Sequence, residues 1–305
     1  MPILQPGDKI AIISPAGSVK IEQIDINIKF IENQKWIPIL GKNAFNEYFF
    51  GYNYAGTEIE RVEDFQWALD QENIKAIWCT RGGYGGVHLI DKLDFSKFKK
   101  FPKWLIGYSD NTVFHQYLSS KNIPSLHACV LKNLPQGHSK GSFKSITSVL
   151  KGKDLHYKIK SEKYNNSGKA KGILSGGNLS IIYSLMGSNT IDNFANKILF
   201  IEDWLENWYH LDRMLMCMER AGVFKNLCGI IVGGFTKMDD KTQENYEQKY
   251  DARSYDIINY RLKKYTFPKI YGFPAGHIYD NRALVFGKEV LLDVNEEFTI
   301  VDFQI

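Results

Sequence analysis

In the first half of the chain short apolar runs alternate with stretches of helical spacing, and no other feature narrows the fold as much. Lys9-Ile10-Ala11-Ile12-Ile13-Ser14 reads as a buried strand, and Ile21, Ile24, Ile28 and Ile31 follow on one helical face. Trp36 to Leu40 is a shorter strand, weakened by Pro38. Thr57-Glu58-Ile59-Glu60 forms a capping box, and Val62, Phe65 and Leu69 give the helix behind it an apolar face. Lys75 to Thr80 is the next strand, and the turn Arg81-Gly82-Gly83-Tyr84-Gly85-Gly86 follows at once. Another apolar run ends at Gly107 and leads to a helix facing inward with Val113, Phe114, Tyr117 and Leu118; Pro124 to His127 closes the series. Strands separated by helices with short connections predict a parallel sheet covered on both faces. Ligands of such sheets bind beyond the carboxyl ends of the strands. Gly82, Gly83 and Ser109 fall at such ends, on strands expected to be neighbours.

Polar residues thicken between Gly152 and Lys171, which divides the chain into a first domain over 1–150, a linker over 151–170 and a second domain over 171–305. The second part mixes its elements. Gly172 to Leu179 reads as a turn into a helix, and Ile198-Leu199-Phe200-Ile201 as a strand ending at Glu202-Asp203. Leu211, Met214, Leu215 and Met218 make a helix face, Gly229 to Gly234 a strand, and Tyr255 to Leu262 a helix. Short strands close the chain, with Gly287-Lys288 as a hairpin signal between two of them. The expected fold is therefore α/β throughout, with a mixed α/β second domain.

Several function classes drop out. The longest apolar runs, such as Lys197 to Ile201, fall far short of a membrane span. The first residues carry no basic segment followed by an apolar one, so a cytoplasmic location is the default expectation. Cys79, Cys129, Cys217 and Cys228 form no C-x-x-C pair, which argues against a zinc site or a disulfide framework. A net charge of +4 is too small to argue for nucleic acid. The one basic and aromatic run, Lys97 to Trp104, reads as a solvated edge, because its lysines stop where a strand begins.

The chemistry gathers around Gly107-Tyr108-Ser109-Asp110-Asn111. Ser109 sits in a corner between strand and helix. Such a corner holds a hydroxyl clear of the sheet and places the unpaired amides of a helix start beside it, where a developing oxyanion needs donors. The pattern departs from the nucleophile elbow G-x-S-x-G, whose last glycine is absent, and a serine there also caps helices. A nucleophilic serine needs a base and an orienting acid. His277, in Gly276-His277 after a strand and Pro274, is one candidate base; His115 and His127 are the others. Glu202 directly follows four apolar residues, and a carboxylate there is costly to bury unless paired; Glu202 and Asp203 also suit a helix cap. The Arg81–Gly86 turn matches neither G-x-x-x-x-G-K-[ST] nor G-x-G-x-x-G. It is instead suited to donate one backbone N–H to an oxyanion hole, with the Asp110 N–H as the second. A carboxylate beside Ser109 would be held by Arg81 and the turn from Gly82, or by the Gly176-Gly177-Asn178 segment, while Arg81 equally suits a structural tie from the turn to an acid such as Asp110.

Eight short motifs resemble, in order, the marks of the murein tetrapeptide LD-carboxypeptidase family of serine peptidases, which includes the microcin-immunity peptidases. They are Ser14-Pro15-Ala16-Gly17, Ala55-Gly56-Thr57, Arg81-Gly82-Gly83-Tyr84-Gly85, Gly107-Tyr108-Ser109-Asp110, Gly176-Gly177-Asn178-Leu179, Phe200-Ile201-Glu202-Asp203, Asp212-Arg213-Met214-Leu215 and Gly276-His277. The resemblance implies Ser109 as nucleophile, Glu202 as acid, His277 as base, and Gly83 and Asp110 as oxyanion-hole amides. It implies a Rossmann-like N-terminal domain and a smaller, barrel-like C-terminal domain, with the triad split between them, in a homodimer that needs no metal or other cofactor. The implied activity is release of a terminal D-amino acid from murein tetrapeptide during peptidoglycan recycling. The alternative is self-immunity against a peptide-nucleotide antibiotic, a choice expected to lie in pocket loops such as Asp239 to Arg253. The chain departs from the family pattern at Trp204-Leu205, where Ile-Gly is usual.

Overall fold

A computed structural model of the chain describes residues 1–133, 139–239 and 250–305. In chain order the elements are β1 (Lys9–Ile13), α1 (Asp25–Asn33), β2 (Ile37–Leu40), β3 (Tyr48–Phe49), β4 (Asn53–Tyr54), α2 (Glu58–Asp70), β5 (Ile74–Cys79), α3 (Ser96–Lys100), β6 (Trp104–Gly107), α4 (Thr112–Ser120) and β7 (Ser125–His127). They continue with α5 (Lys140–Leu150), β8 (Leu155–Lys160), β9 (Gly168–Asn178), α6 (Leu179–Leu185), β10 (Lys197–Trp204), α7 (Trp208–Arg220), β11 (Gly229–Thr236), α8 (Ala252–Leu262), β12 (Lys269–Ile270), β13 (Leu284–Phe286), β14 (Glu289–Val294) and β15 (Phe298–Phe303).

The first sheet runs β13-β7-β6-β5-β1-β2, and the five strands from β2 to β7 are mutually parallel. All four residues of β6 are buried, as a central strand covered on both faces requires. The capping box opens α2 as expected, with the Thr57 hydroxyl accepting from the Glu60 N–H. The second sheet runs β12-β11-β10-β9-β14-β15-β8 and is mixed: β9 to β12 are parallel, while β9, β14, β15 and β8 pair antiparallel. β14 alternates exposed and buried residues, the period-two signature of a sheet with one wet face. One apolar cluster runs continuously from Ile10, Trp78 and Trp104 of the first sheet to Phe200, Ile231 and Val290 of the second.

Three local expectations differ from the structure. The residues from Gly172 to Asn178 are the end of an 11-residue strand, β9, and only Leu179 starts the helix. Gly176 and Gly177 hide that strand from a propensity reading, since glycine disfavours strands in general. Gly287-Lys288 does not turn a hairpin: β13 pairs with β7 in the first sheet, and β14 pairs with β9 in the second. The stretch over 151–170 contains β8, an edge strand whose polar residues point outward. Among the described residues no helix is long and apolar enough to cross a membrane.

Candidate active site

The corner after β6 is built by strain. Tyr108 is extended, and Ser109 then takes φ 64°, in the left-handed region, before the chain enters a helical turn and α4. A non-glycine residue there costs about 1–2 kcal/mol, and such outliers persist only where their surroundings hold them. Here the Asn111 carboxamide donates to the Tyr108 carbonyl at 3.0 Å and pins the corner from behind. Because β5 and β6 are parallel neighbours, the glycine turn after β5 meets the corner after β6. A Cβ on Gly82 would lie 2.9 Å from Ser109 Cβ, 3.1 Å from its Oγ and 3.5 Å from the Asp110 nitrogen.

The second sheet brings the other groups. The register of β9 with β10 puts Glu202 beside Asn178, and the Asn178 N–H donates to Thr112 Oγ1 in the first turn of α4 at 3.0 Å. Glu202 is thereby held, fully buried, next to the serine corner. Its Oε2 accepts from His277 Nδ1 at 2.7 Å and from the His277 backbone N–H at 3.1 Å. With Nδ1 donating to the carboxylate, Nε2 of the neutral ring is left as an acceptor, and it lies 3.1 Å from Ser109 Oγ. Gly276 makes this approach feasible: it has φ 105°, and a Cβ there would lie 2.7 Å from Glu202 Oε2. The Thr236 hydroxyl at the end of β11 holds the His277 carbonyl at 2.8 Å.

Burial alone would lower the His277 pKa, but the facing Glu202 carboxylate, its hydrogen bond and nearby Asp203 outweigh it, so the pKa lies above 6.5. Burial, then repulsion from Glu202, pushes Asp203 up to about 7. The Trp204 indole stacks on the imidazole, with centroids 5.6 Å apart and planes within 11°, and the Tyr108 ring lies 4.8 Å from it.

Ser109, His277 and Glu202 are therefore brought together, and Gly82 and the Asp110 backbone border the same hydroxyl. Gly83 is one residue further out, against the Tyr52 hydroxyl. Arg81 uses Nη1 on the Ser18 carbonyl at 2.8 Å, so it ties the glycine turn to the loop after β1. The Asn178 side chain is engaged elsewhere: it donates to Asp203 at 2.9 Å and accepts the Ile181 N–H at the start of α6. His115 is fully buried and spends both ring nitrogens, on Ser125 Oγ and the Gly107 carbonyl. His127 is fully buried without a hydrogen-bond partner among the described residues. Residues 240–249 of the expected pocket loop lie outside the described residues. Among the described residues no group of three His, Cys, Asp or Glu side chains is arranged to hold a metal ion.

Two features of the site had no sequence reading. The Trp204 stack was visible only as a departure at that position. The buried Arg61 of α2 was indistinguishable from a solvated helix charge.

Residues 10–128 match the family described as the LD-carboxypeptidase N-terminal domain, and residues 171–292 match the LD-carboxypeptidase C-terminal domain. The chain is 28% identical to the probable murein peptide carboxypeptidase of Bacillus subtilis, over 98% of this chain and 93% of that protein. It is 27% identical to the murein tetrapeptide carboxypeptidase of Pseudomonas aeruginosa, over 95% of each. In fold it is similar to the solved structure of MccF in complex with glutamyl sulfamoyl guanosine, with a TM-score of 0.85 at 21% identity, covering 100% of this chain and 99% of that one.

Proposed function

The chain belongs to the LD-carboxypeptidase family, and on that premise we propose that it is a serine peptidase that releases the terminal D-amino acid from murein tetrapeptide. The observation that carries the reading is the relay from Ser109 Oγ to His277 Nε2 at 3.1 Å and from His277 Nδ1 to Glu202 Oε2 at 2.7 Å. Ser109 Oγ attacks the carbonyl carbon of the L,D-bond while its proton passes to His277 Nε2. The negative oxygen of the tetrahedral intermediate lies between the glycine turn and the helix start, against the N–H groups of Gly83 and Asp110. The intermediate collapses, the C–N bond breaks, and His277 returns the proton to the leaving amine. Water then repeats the cycle on the acyl-serine: His277 takes its proton, the acid leaves, and Ser109 recovers its hydrogen. Glu202 keeps the imidazole in the tautomer that accepts at Nε2 and offsets its positive charge. Arg81 and Gly82 border the end of the substrate that carries the free carboxylate.

The same reading takes 1–150 as the domain that carries the nucleophile and 171–305 as the domain that carries acid and base. It has the protein act as a cytoplasmic homodimer on recycled murein peptides. A second reading, hydrolysis of a peptide-nucleotide antibiotic, draws on Trp204: its indole is 41% exposed beside His277 and offers a planar ligand an aromatic surface.

Incubation with murein tripeptide, tetrapeptide, pentapeptide and an aminoacyl-sulfamoyl nucleoside separates the readings. The expected result is loss of the one terminal D-amino acid from the tetrapeptide, with the tripeptide untouched. Cleavage of the nucleoside alone would favour the second reading, and cleavage of neither would defeat both.

A further inference from the structure

Beside Ser109 lies a buried carboxylate that the relay does not use. Asp110 is 1% exposed, and its Oδ2 accepts the Gly86 N–H at 2.7 Å. Arg61, 3% exposed, grips the same turn from its other side: Nη1 donates to the Gly85 carbonyl at 3.0 Å and to the Pro15 carbonyl at 2.9 Å. The guanidinium rests 4.8 Å above the Tyr54 ring. The seat is tight, since a Cβ on Gly86 would stand 2.9 Å from Asp110 Oδ2 and one on Gly85 2.5 Å from Arg61 Nη1.

The geometry joins two walls through one residue. The backbone of Asp110 belongs to the serine corner. Its side chain holds the far end of the turn whose near end, Gly82, faces the Ser109 hydroxyl. We propose that Asp110 is a positioning residue: its carboxylate locks the Arg81–Gly86 turn at Gly86 and so fixes the gap, between turn and corner, that holds the oxygen anion of the acyl-transfer intermediate. The inference rests on the serine reading above. A charged acceptor suits the task, because hydrogen bonds to carboxylates are shorter and stiffer than those to neutral oxygens. Donors fixed before the reaction are what lower its barrier.

A purely structural acid would be expected to favour the fold, and this one is poorly placed for that. Burial raises its pKa to about 6, against the lowering effects of the Gly86 and Gly85 amides and of Arg61. The other titratable groups facing it are Tyr54 from β4 and Cys79 from β5. The sign follows directly. The folded carboxyl keeps its proton up to about pH 6 and the unfolded one only to about 3.8, so stability falls as pH rises through that interval. Above it, an uncharged carboxamide of the same size has no charge to bury.

The test uses the full chain with Asp110→Asn and Asp110→Ala. It compares kcat and KM on the L,D-tetrapeptide, binding of a peptide aldehyde that mimics the intermediate, binding of the tripeptide product, and melting at pH 7.5. The expected result for Asp110→Asn is a kcat lower by about 10²-fold, the scale of one lost oxyanion donor. Aldehyde affinity should fall in parallel, product binding and KM should hold, and the melting point should be equal to or above that of the wild type. Asp110→Ala should lose more kcat. Wild-type kcat in both variants overturns the inference. So does a lowered melting point, or misfolding, in Asp110→Asn together with equal losses of product and aldehyde binding, which would make Asp110 part of the scaffold. Failure of the serine reading is seen separately, in a wild type that cuts no L,D-peptide.

Discussion

Ser109 at φ 64° and Glu202 at 0% exposure are both costly placements, and each is held by its neighbours. The strained serine is pinned by Asn111, and the buried acid by two donors from His277. One consequence is a defined acid limb. His277 must be neutral to accept the Ser109 proton, and its pKa is held above 6.5. Lowering the pH through that value protonates the base, so kcat/KM should fall tenfold per pH unit below an inflection lying above 6.5. A profile flat down to pH 5 would remove His277 from the proton path. At this scale the sequence was only partly legible. The residues alone put His277 ahead of His115 and His127 as the base, and resemblance to a family pointed to the same residue. Of the three, His277 is the one whose ring nitrogen lies against Ser109 Oγ, and sequence spacing cannot encode that contact, because Ser109 and His277 stand 168 residues apart.

The elements of the first half followed from periodicity, since β1, β5, β6 and β7 are buried runs separated by helices with one apolar face. The element that escaped is β9, and its reason is local. Gly176 lies in register with Phe200 of β10 and has φ 148°. A Cβ there would come within 2.0 Å of the Phe200 carbonyl oxygen. Glycine is thus a requirement of the close approach of β9 to β10, the strand that carries Glu202. Gly176→Ala should therefore destabilise the protein by about 3 kcal/mol, the upper range for forcing atoms into a packed site, and should lower activity through displacement of β10. Denaturant unfolding checks this: a loss under about 1 kcal/mol would mean that the strand can shift without cost. The Gly287-Lys288 link failed for another reason. A two-residue connection with a glycine is compatible with a hairpin, but it fits a crossing between sheets equally well once β7 and β9 present free edges.

Across the whole molecule, the site is where two sheets meet. β6 supplies Ser109, β10 supplies Glu202, and the segment between β12 and β13 supplies His277. α4 starts at the serine corner and is bolted to the end of β9 by the Asn178 N–H on Thr112 and by Gln116 Nε2 on the Gly176 carbonyl at 2.8 Å. β13 ties the two sheets further by pairing with β7 in the first sheet, before β14 and β15 return the chain to the second. Composition and length bounded this architecture, and the alternation in the first half gave its parallel sheet. The pairing of distant edges was not written in any local pattern. The proposed role of Ser109 is that of the nucleophile, activated where these sheets meet. Its most direct test is treatment of the native protein with a fluorophosphonate, followed by peptide mass spectrometry. A single adduct on Ser109, formed in the wild type and absent in Ser109→Ala along with turnover, is the predicted result. An adduct on another residue, or a Ser109→Ala protein that still cuts L,D-peptide at the wild-type rate, would contradict it.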